Sequence, residues 1–295
     1  MADYKMEHNP ESWPTWRTLT RRKWFIACCI LVGLVLIYTP PLPVPISSFD
    51  METFNLIKKT PSGSYVIYGL AFTSMDTYST NRDSFRAFTI ALASQHLKIV
   101  YVCFGVVSPT CAVDLALRAN LQKGFGYVYG VDYVIFPYLS GDEIAMASVA
   151  ANIHSAYSSD IYGTPTDSIP MMKDLHGMAD AKLAVGWSQI NTMGEMYVRQ
   201  WPVKYGVPYI DQVGTVLSYY PQYVTALSQI YGTISAAAAL ELLTNNPGEQ
   251  LIMVQAQNLV QLFIFSMVII SIIKFQLDRN QARRKQVASE GAVKQ

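Results

Sequence analysis

Two uncharged, strongly apolar segments lie near the two ends of the chain and constrain everything between them. From Trp24 the run Phe25-Ile26-Ala27-Cys28-Cys29-Ile30-Leu31-Val32-Gly33-Leu34-Val35-Leu36-Ile37-Tyr38 carries no charge, and residues 39–46 form a proline-rich exit. A bilayer core of about 30 Å needs about 20 helical residues, so 24–46 predicts a transmembrane helix that ends before Pro40. Trp24 and Tyr38 suit the two interfaces. A cleaved signal peptide competes, because Arg21, Arg22 and Lys23 make a suitable basic leader. Pro40, Pro41, Pro43 and Pro45 occupy the place of a small-residue cleavage site, which favours an uncleaved anchor. Residues 251–273 are also uncharged and, from Leu259, dense in Leu, Ile, Phe, Val and Met, predicting a second span. Its first half carries Gln255, Gln257, Asn258 and Gln261. Such side chains either sit at headgroup depth or hydrogen-bond across a helix interface in a homo- or hetero-oligomer.

Composition agrees with a mixed protein. Of 295 residues, 51% are hydrophobic and 15% charged, too apolar for an ordinary soluble domain and too polar for a multispanning transporter. Charge is segregated: Lys+Arg against Asp+Glu is 5 to 3 over 1–23, 11 to 16 over 24–255, and 6 to 2 over 256–295. A nucleic-acid partner needs a concentrated basic face, which an acidic middle does not supply. The basic flanks of both spans predict that 1–23 and 274–295 are cytoplasmic. The intervening segment, 47–250, is then an extracytoplasmic domain of a bitopic hairpin in the cell membrane.

Within that domain, hydrophobic periodicity alternates. Continuous β-prone runs at 65–72, 98–104, 133–136, 182–185 and 207–210 are separated by helical spacing at 82–95, 110–122, 141–157 and 193–205, and 219–243 reads as helical and Ala-rich. Strands apolar on both faces, alternating with helices, predict a doubly wound, Rossmann-like α/β fold with a mostly parallel sheet. Ligands of such sheets bind beyond the carboxyl ends of the strands. The loops there are 73–76, 105–110, 138–142, 187–189 and 212–215. They nominate Thr73, Asp76, Ser108, Thr110, Ser140, Asp142, Ser188, Gln189 and Thr215 as binding residues. With hydroxyls, amides and a few carboxylates but no Arg or Lys, these loops suit a small neutral ligand.

Catalytic templates are missing. His8, His96, His154 and His176 lack metal-ligand spacing, and no GxGxxG, Walker A or GxSxG motif occurs, so no metal and no cofactor is expected. Cys103 and Cys111, at a strand end and the start of the next helix, either form a disulfide in an oxidising compartment or remain buried thiols. Asp142 and Glu143 read as first-turn acids that cap a helix, with a catalytic pair as the rival. The turn-rich stretch 160–170 reads as a loop packed back on the domain, either a connection or a lid, and Asp160 lies near His154 in sequence.

Four ordered motifs carry a resemblance: Tyr129-Gly130-Val131-Asp132-Tyr133-Val134 through Gly141, Asp160-Ile161-Tyr162-Gly163-Thr164-Pro165, Ile169-Pro170-Met171-Met172-Lys173 and Tyr205-Gly206-Val207. Over roughly 60–270 the chain resembles a family of prokaryotic membrane-anchored proteins with an α/β domain between two hydrophobic ends. The resemblance implies that architecture and no established activity. It departs at Ala71-Phe72-Thr73-Ser74, where the family has acidic residues, and at 232–241, where an acidic pair is replaced by an alanine run ending in Glu241. The expectation is a membrane-tethered accessory, scaffold or ligand-binding subunit. The alternative is a membrane-anchored hydrolase or transferase drawing on Asp76, Asp142, Glu143, Asp160 or His154.

Overall fold

The computed structural model describes residues 26, 29–30, 33–34, 43–44, 46–188, 191–213, 228–231 and 234–292. The chain divides into two compact units, 44–254 and the two hydrophobic ends, 1–43 with 255–295.

The first unit opens on an element absent from the expectations above. Helix α1 (Ser48–Lys59) starts from a reciprocal cap: Asp50 N–H donates to Ser47 Oγ at 3.1 Å, and Ser47 N–H donates to Asp50 Oδ2 at 3.0 Å. Then come β1 (Tyr65–Leu70), α2 (Met75–Ser94), β2 (Lys98–Cys103), α3 (Ser108–Arg118), α4 (Leu121–Phe125) and β3 (Tyr133–Tyr138). Helices α5 (Asp142–Ala151) and α6 (Ile153–Ala156) follow, and the chain continues through β4 (Leu183–Ser188), α7 (Asn191–Gln200), α8 (Pro202–Tyr205), β5 (Tyr209–Val213), β6 (Ser228–Tyr231) and α9 (Ile234–Leu243). The strands form a six-stranded sheet in the order β3-β2-β1-β4-β5-β6, with every pairing parallel. The doubly wound fold expected from the alternation is therefore present.

Register assigns the faces. Tyr68 pairs with Tyr101 and Val185, and its ring lies 5.7 Å from Phe88 of α2, so α2 covers that face. Gly69 and Gly186 alternate to the other face, where Tyr197 of α7 and Trp201 fill the space a side chain would need: a Cβ at Gly69 would stand 2.6 Å from the Trp201 ring. Helix α9 packs on α2, α5 packs on α7, and α1 packs against β6 and α9.

Three helices expected to be continuous are broken. Asn120, at φ 54°, separates α3 from α4. Asn152 leaves the helical region and caps α6 through Ser155 N–H, 3.1 Å from its Oδ1. Pro202 ends α7 at Trp201, because a proline ring cannot continue the bonded ladder. Strand β3 runs through Pro137, which an edge strand tolerates because the missing donor faces no neighbour. Of the helix expected over 219–243, residues 219–227 and 232–233 lie outside the described residues; 234–243 is α9, and 228–231 is strand β6, hydrogen-bonded to β5.

Helix α10 (Glu249–Ala292) begins in the first unit and continues into the second. Its start is fixed by Glu241, 1% exposed, whose carboxylate accepts Gly248 N–H at 3.1 Å and Leu251 N–H at 2.8 Å and pairs with Arg86 at 3.4 Å. Residues Glu249–Leu277 are long and apolar enough to cross a membrane. The N-terminal span over 24–46 lies mostly outside the described residues; Ile26, Cys29, Ile30, Gly33 and Leu34 are helical.

Candidate functional site

In the order β3-β2-β1-β4-β5-β6 the chain reverses its direction of growth between β1 and β4, and a doubly wound sheet offers a crevice outside the carboxyl ends of those two strands. The described residues of the five nominated loops belong to this edge: 73–76 follows β1, 105–110 follows β2, 138–142 begins inside β3, 187–188 ends β4 and 212–213 ends β5.

The first βα turn, where such folds usually seat a phosphate on a helix N-terminus, is filled by the chain itself. Phe72 is fully buried, with ring centroids 5.2 Å from Tyr78, 4.9 Å from Phe85 and 5.5 Å from Trp187. Its N–H donates to Ser108 Oγ at 2.8 Å, and its carbonyl accepts Val107 N–H at 3.3 Å. Gly105 must be glycine here, since a Cβ would stand 2.1 Å from the Phe72 carbonyl oxygen. Ser74 caps α2 through Thr77 N–H at 3.3 Å. Two donors at this turn, the N–H groups of Phe72 and Thr77, are thus bound internally.

Ser108 is therefore buried, with its hydroxyl bonded to the Phe72 N–H. Thr73, Asp76, Thr110, Ser140 and Asp142 are exposed on the rim, Ser188 closes β4, and Gln189 and Thr215 lie outside the described residues. The same edge carries exposed apolar side chains: Met75 at the start of α2, Val106 at 67% in the β2–α3 turn, Tyr138 at the end of β3, and Ile144 at 77% in the first turn of α5.

Among the described residues, no hydrogen bond or ion pair joins any two of the acid-base candidates Asp76, Asp142, Glu143, Asp160 and His154. Asp142 opens α5 at φ 44° behind Gly141 and makes no side-chain cap. Glu143 does not cap either: its carboxylate takes Arg199 Nε at 2.9 Å, Arg199 Nη2 at 3.0 Å and Gln200 Nε2 at 2.9 Å, tying α5 to α7. These bonds hold its pKa down to about 2. Asp160, 3% exposed, accepts N–H from Tyr162 at 2.9 Å and Thr164 at 2.8 Å and the Tyr129 hydroxyl at 3.0 Å, which is a turn-building role. His154 places Nδ1 2.5 Å from Asp167 and Nε2 3.0 Å from the Met172 carbonyl, clasping the 158–181 segment to α6. That segment packs back as expected, burying Ile169, Met171, Met172 and Met178.

The disulfide expected as one option for Cys103 and Cys111 is not formed. Both are free and buried, and Cys111 Sγ turns to Met75 Sδ at 3.8 Å. Burial and the nearby Asp114 push the Cys111 thiol up to about 12, leaving it unreactive.

Sequence reasoning missed two buried polar pairs of the sheet. The Tyr68 hydroxyl donates to Gln212 Oε1, and the Tyr209 hydroxyl donates to Asp211 at 3.2 Å, all four residues being buried. Asp211-Gln212, directly after the apolar run 207–210, was the available signal. On α10, Gln255 is buried and Asn258 donates to the Pro43 carbonyl at 3.5 Å, while Gln257 and Gln261 are exposed. Comparison with protein-family models, with curated proteins and with solved structures gives no match for this chain.

Proposed function

We propose that this chain is a membrane-tethered, non-enzymatic α/β subunit that binds a partner through the carboxyl edge of its sheet and assembles through its membrane helices. The observation that carries this reading is the state of the switch-point crevice. Phe72 and the bonds to it fill the ligand position, while the rim around it exposes Met75, Val106, Tyr138 and Ile144. Apolar side chains exposed along one edge of a rigid sheet suit a protein surface, and small-molecule chemistry needs a concavity with convergent polar groups. Asp76, Glu143, Asp160 and His154 stand on separate elements, and the last three are each engaged in structural contacts.

The apolar stretch Glu249–Leu277 supplies the tether. Helical spacing puts Gln257, Asn258 and Gln261 within about 100° of the helix circumference, an arrangement that suits association in lipid. The basic flanks support cytoplasmic ends and an extracytoplasmic domain.

The test is the mass of the full chain, purified in mild detergent and measured by light scattering with native mass spectrometry. The expected particle exceeds the 32.9 kDa of one chain. Asn258→Leu with Gln261→Leu reduces assembly in the membrane, and Val106→Ser with Ile144→Ser releases a partner held at the rim. A strict monomer with no copurifying protein would overturn the reading.

A further inference from the structure

A second cavity, of about 420 Å³, opens at the β3 edge of the sheet between α3, α4 and the tip of the loop at Tyr162. Its size falls within the range of small-molecule sites. Val113, Leu121 and Ile135 give it an aliphatic floor, and Tyr133 and Tyr162 stand as aromatic walls.

The Tyr162 wall is preorganised although its side chain is 65% exposed. The buried Asp160 holds the backbone of Tyr162 and Thr164 and the hydroxyl of Tyr129. The Tyr162 ring packs edge-on against Tyr129 at 5.0 Å, and Tyr129 packs edge-on against Tyr133 at 5.2 Å. A wall fixed before binding lowers the entropy a ligand must offset.

Charge defines the occupant. Lys123 lines the cavity, no Asp or Glu does, and among the described residues Lys123 forms no ion pair. Beside it, the Tyr133 hydroxyl accepts Gln122 Nε2–H at 3.1 Å and keeps its own proton to donate. An added peptide strand is disfavoured, because the edge carbonyls of Tyr133 and Ile135 already accept Gly130 N–H at 2.8 Å and Ile161 N–H at 3.1 Å. We infer that this cavity binds a small organic anion with a flat apolar body. The body lies between Tyr162 and the aliphatic floor, and the anionic end meets Lys123 and the Tyr133 hydroxyl.

Two probes with one body separate charge from shape: indole-3-acetate and its neutral amide, indole-3-acetamide. Each is dialysed to equilibrium against the full chain in phosphatidylcholine nanodiscs, with empty nanodiscs as the blank. The carboxylate is expected to bind saturably and about tenfold more tightly than the amide. Lys123→Gln removes that difference, and Leu117→Asp, at an exposed position on the lip, weakens the carboxylate selectively; circular dichroism confirms that both variants fold. Absence of saturable carboxylate binding, or binding unchanged in both variants, overturns the assignment.

Discussion

Glu241 shows how much one side chain can organise. It ends the alanine run of α9, and its buried carboxylate caps the first turn of α10 while pairing with Arg86. A side chain at Gly248 would displace this pair, since a Cβ would stand 2.2 Å from Glu241 Oε1 and 2.8 Å from Arg86 Nη1. Burial raises the Glu241 pKa above its ordinary 4.5, outweighing the backbone N–H groups and Arg86, which act to lower it. A carboxyl with a raised folded pKa binds more protons folded than unfolded, so its contribution to stability falls as pH rises from 4.5 through the raised value. Glu143 has the opposite sign: its contribution is present above 4.5 and is lost as pH falls toward about 2. Denaturation across this pH range should show the falling component vanish in Glu241→Gln and the rising one vanish in Glu143→Gln. Glu241→Ala, which strands two amide donors, should cost about 1–3 kcal/mol at neutral pH. The sequence displayed the acid at 241 but not its partners, because Arg86 is 155 positions away.

At the scale of elements, the alternation of runs located five strands and most helices, since a continuous β-prone run and a helical period of 3.6 are both local properties. Where two local signals conflict, the fold decides. Residues 228–231 sit among helix formers and become β6 because β5 offers an open edge. Helix α1 went unread although Ser47 and Asp50 spell out its cap, because the cap adjoins the proline-rich exit of the first span. The β1–α2 and β2–α3 turns are joined by Phe72, Gly105 and Ser108, none of which forms a recognisable motif. Ser108→Ala should leave the Phe72 N–H without an acceptor and cost about 1–3 kcal/mol. Gly105→Ala forces backbone apart and should cost about 3 kcal/mol. Chemical denaturation of the two variants checks both values, and a neutral result for either would mean that the two turns are not held together in this way.

For the whole molecule, the membrane hairpin is the claim with the widest consequences, and the basic flanks at 21–23 and 274–285 make it testable. Single cysteines at Ser159 and at Ser289, in a background without native cysteine, should react differently with a membrane-impermeant thiol reagent in intact cells. The extracytoplasmic reading requires labelling at 159 and none at 289, and the reverse pattern turns the domain toward the cytoplasm. By itself the sequence determined the apolar segments, the charge segregation and the α/β alternation, because hydropathy and periodicity are sums over neighbouring residues. It also located the loops of the carboxyl edge, since strand direction in a parallel sheet follows from chain order. Only the tertiary structure decided that Phe72 is buried against Trp187 and bonded to Ser108, that Glu143, Asp160 and His154 bond within the domain, and that a lysine-edged cavity lies at β3. Those facts depend on which distant residues meet, and side chains far apart in sequence carry no local mark of their encounter.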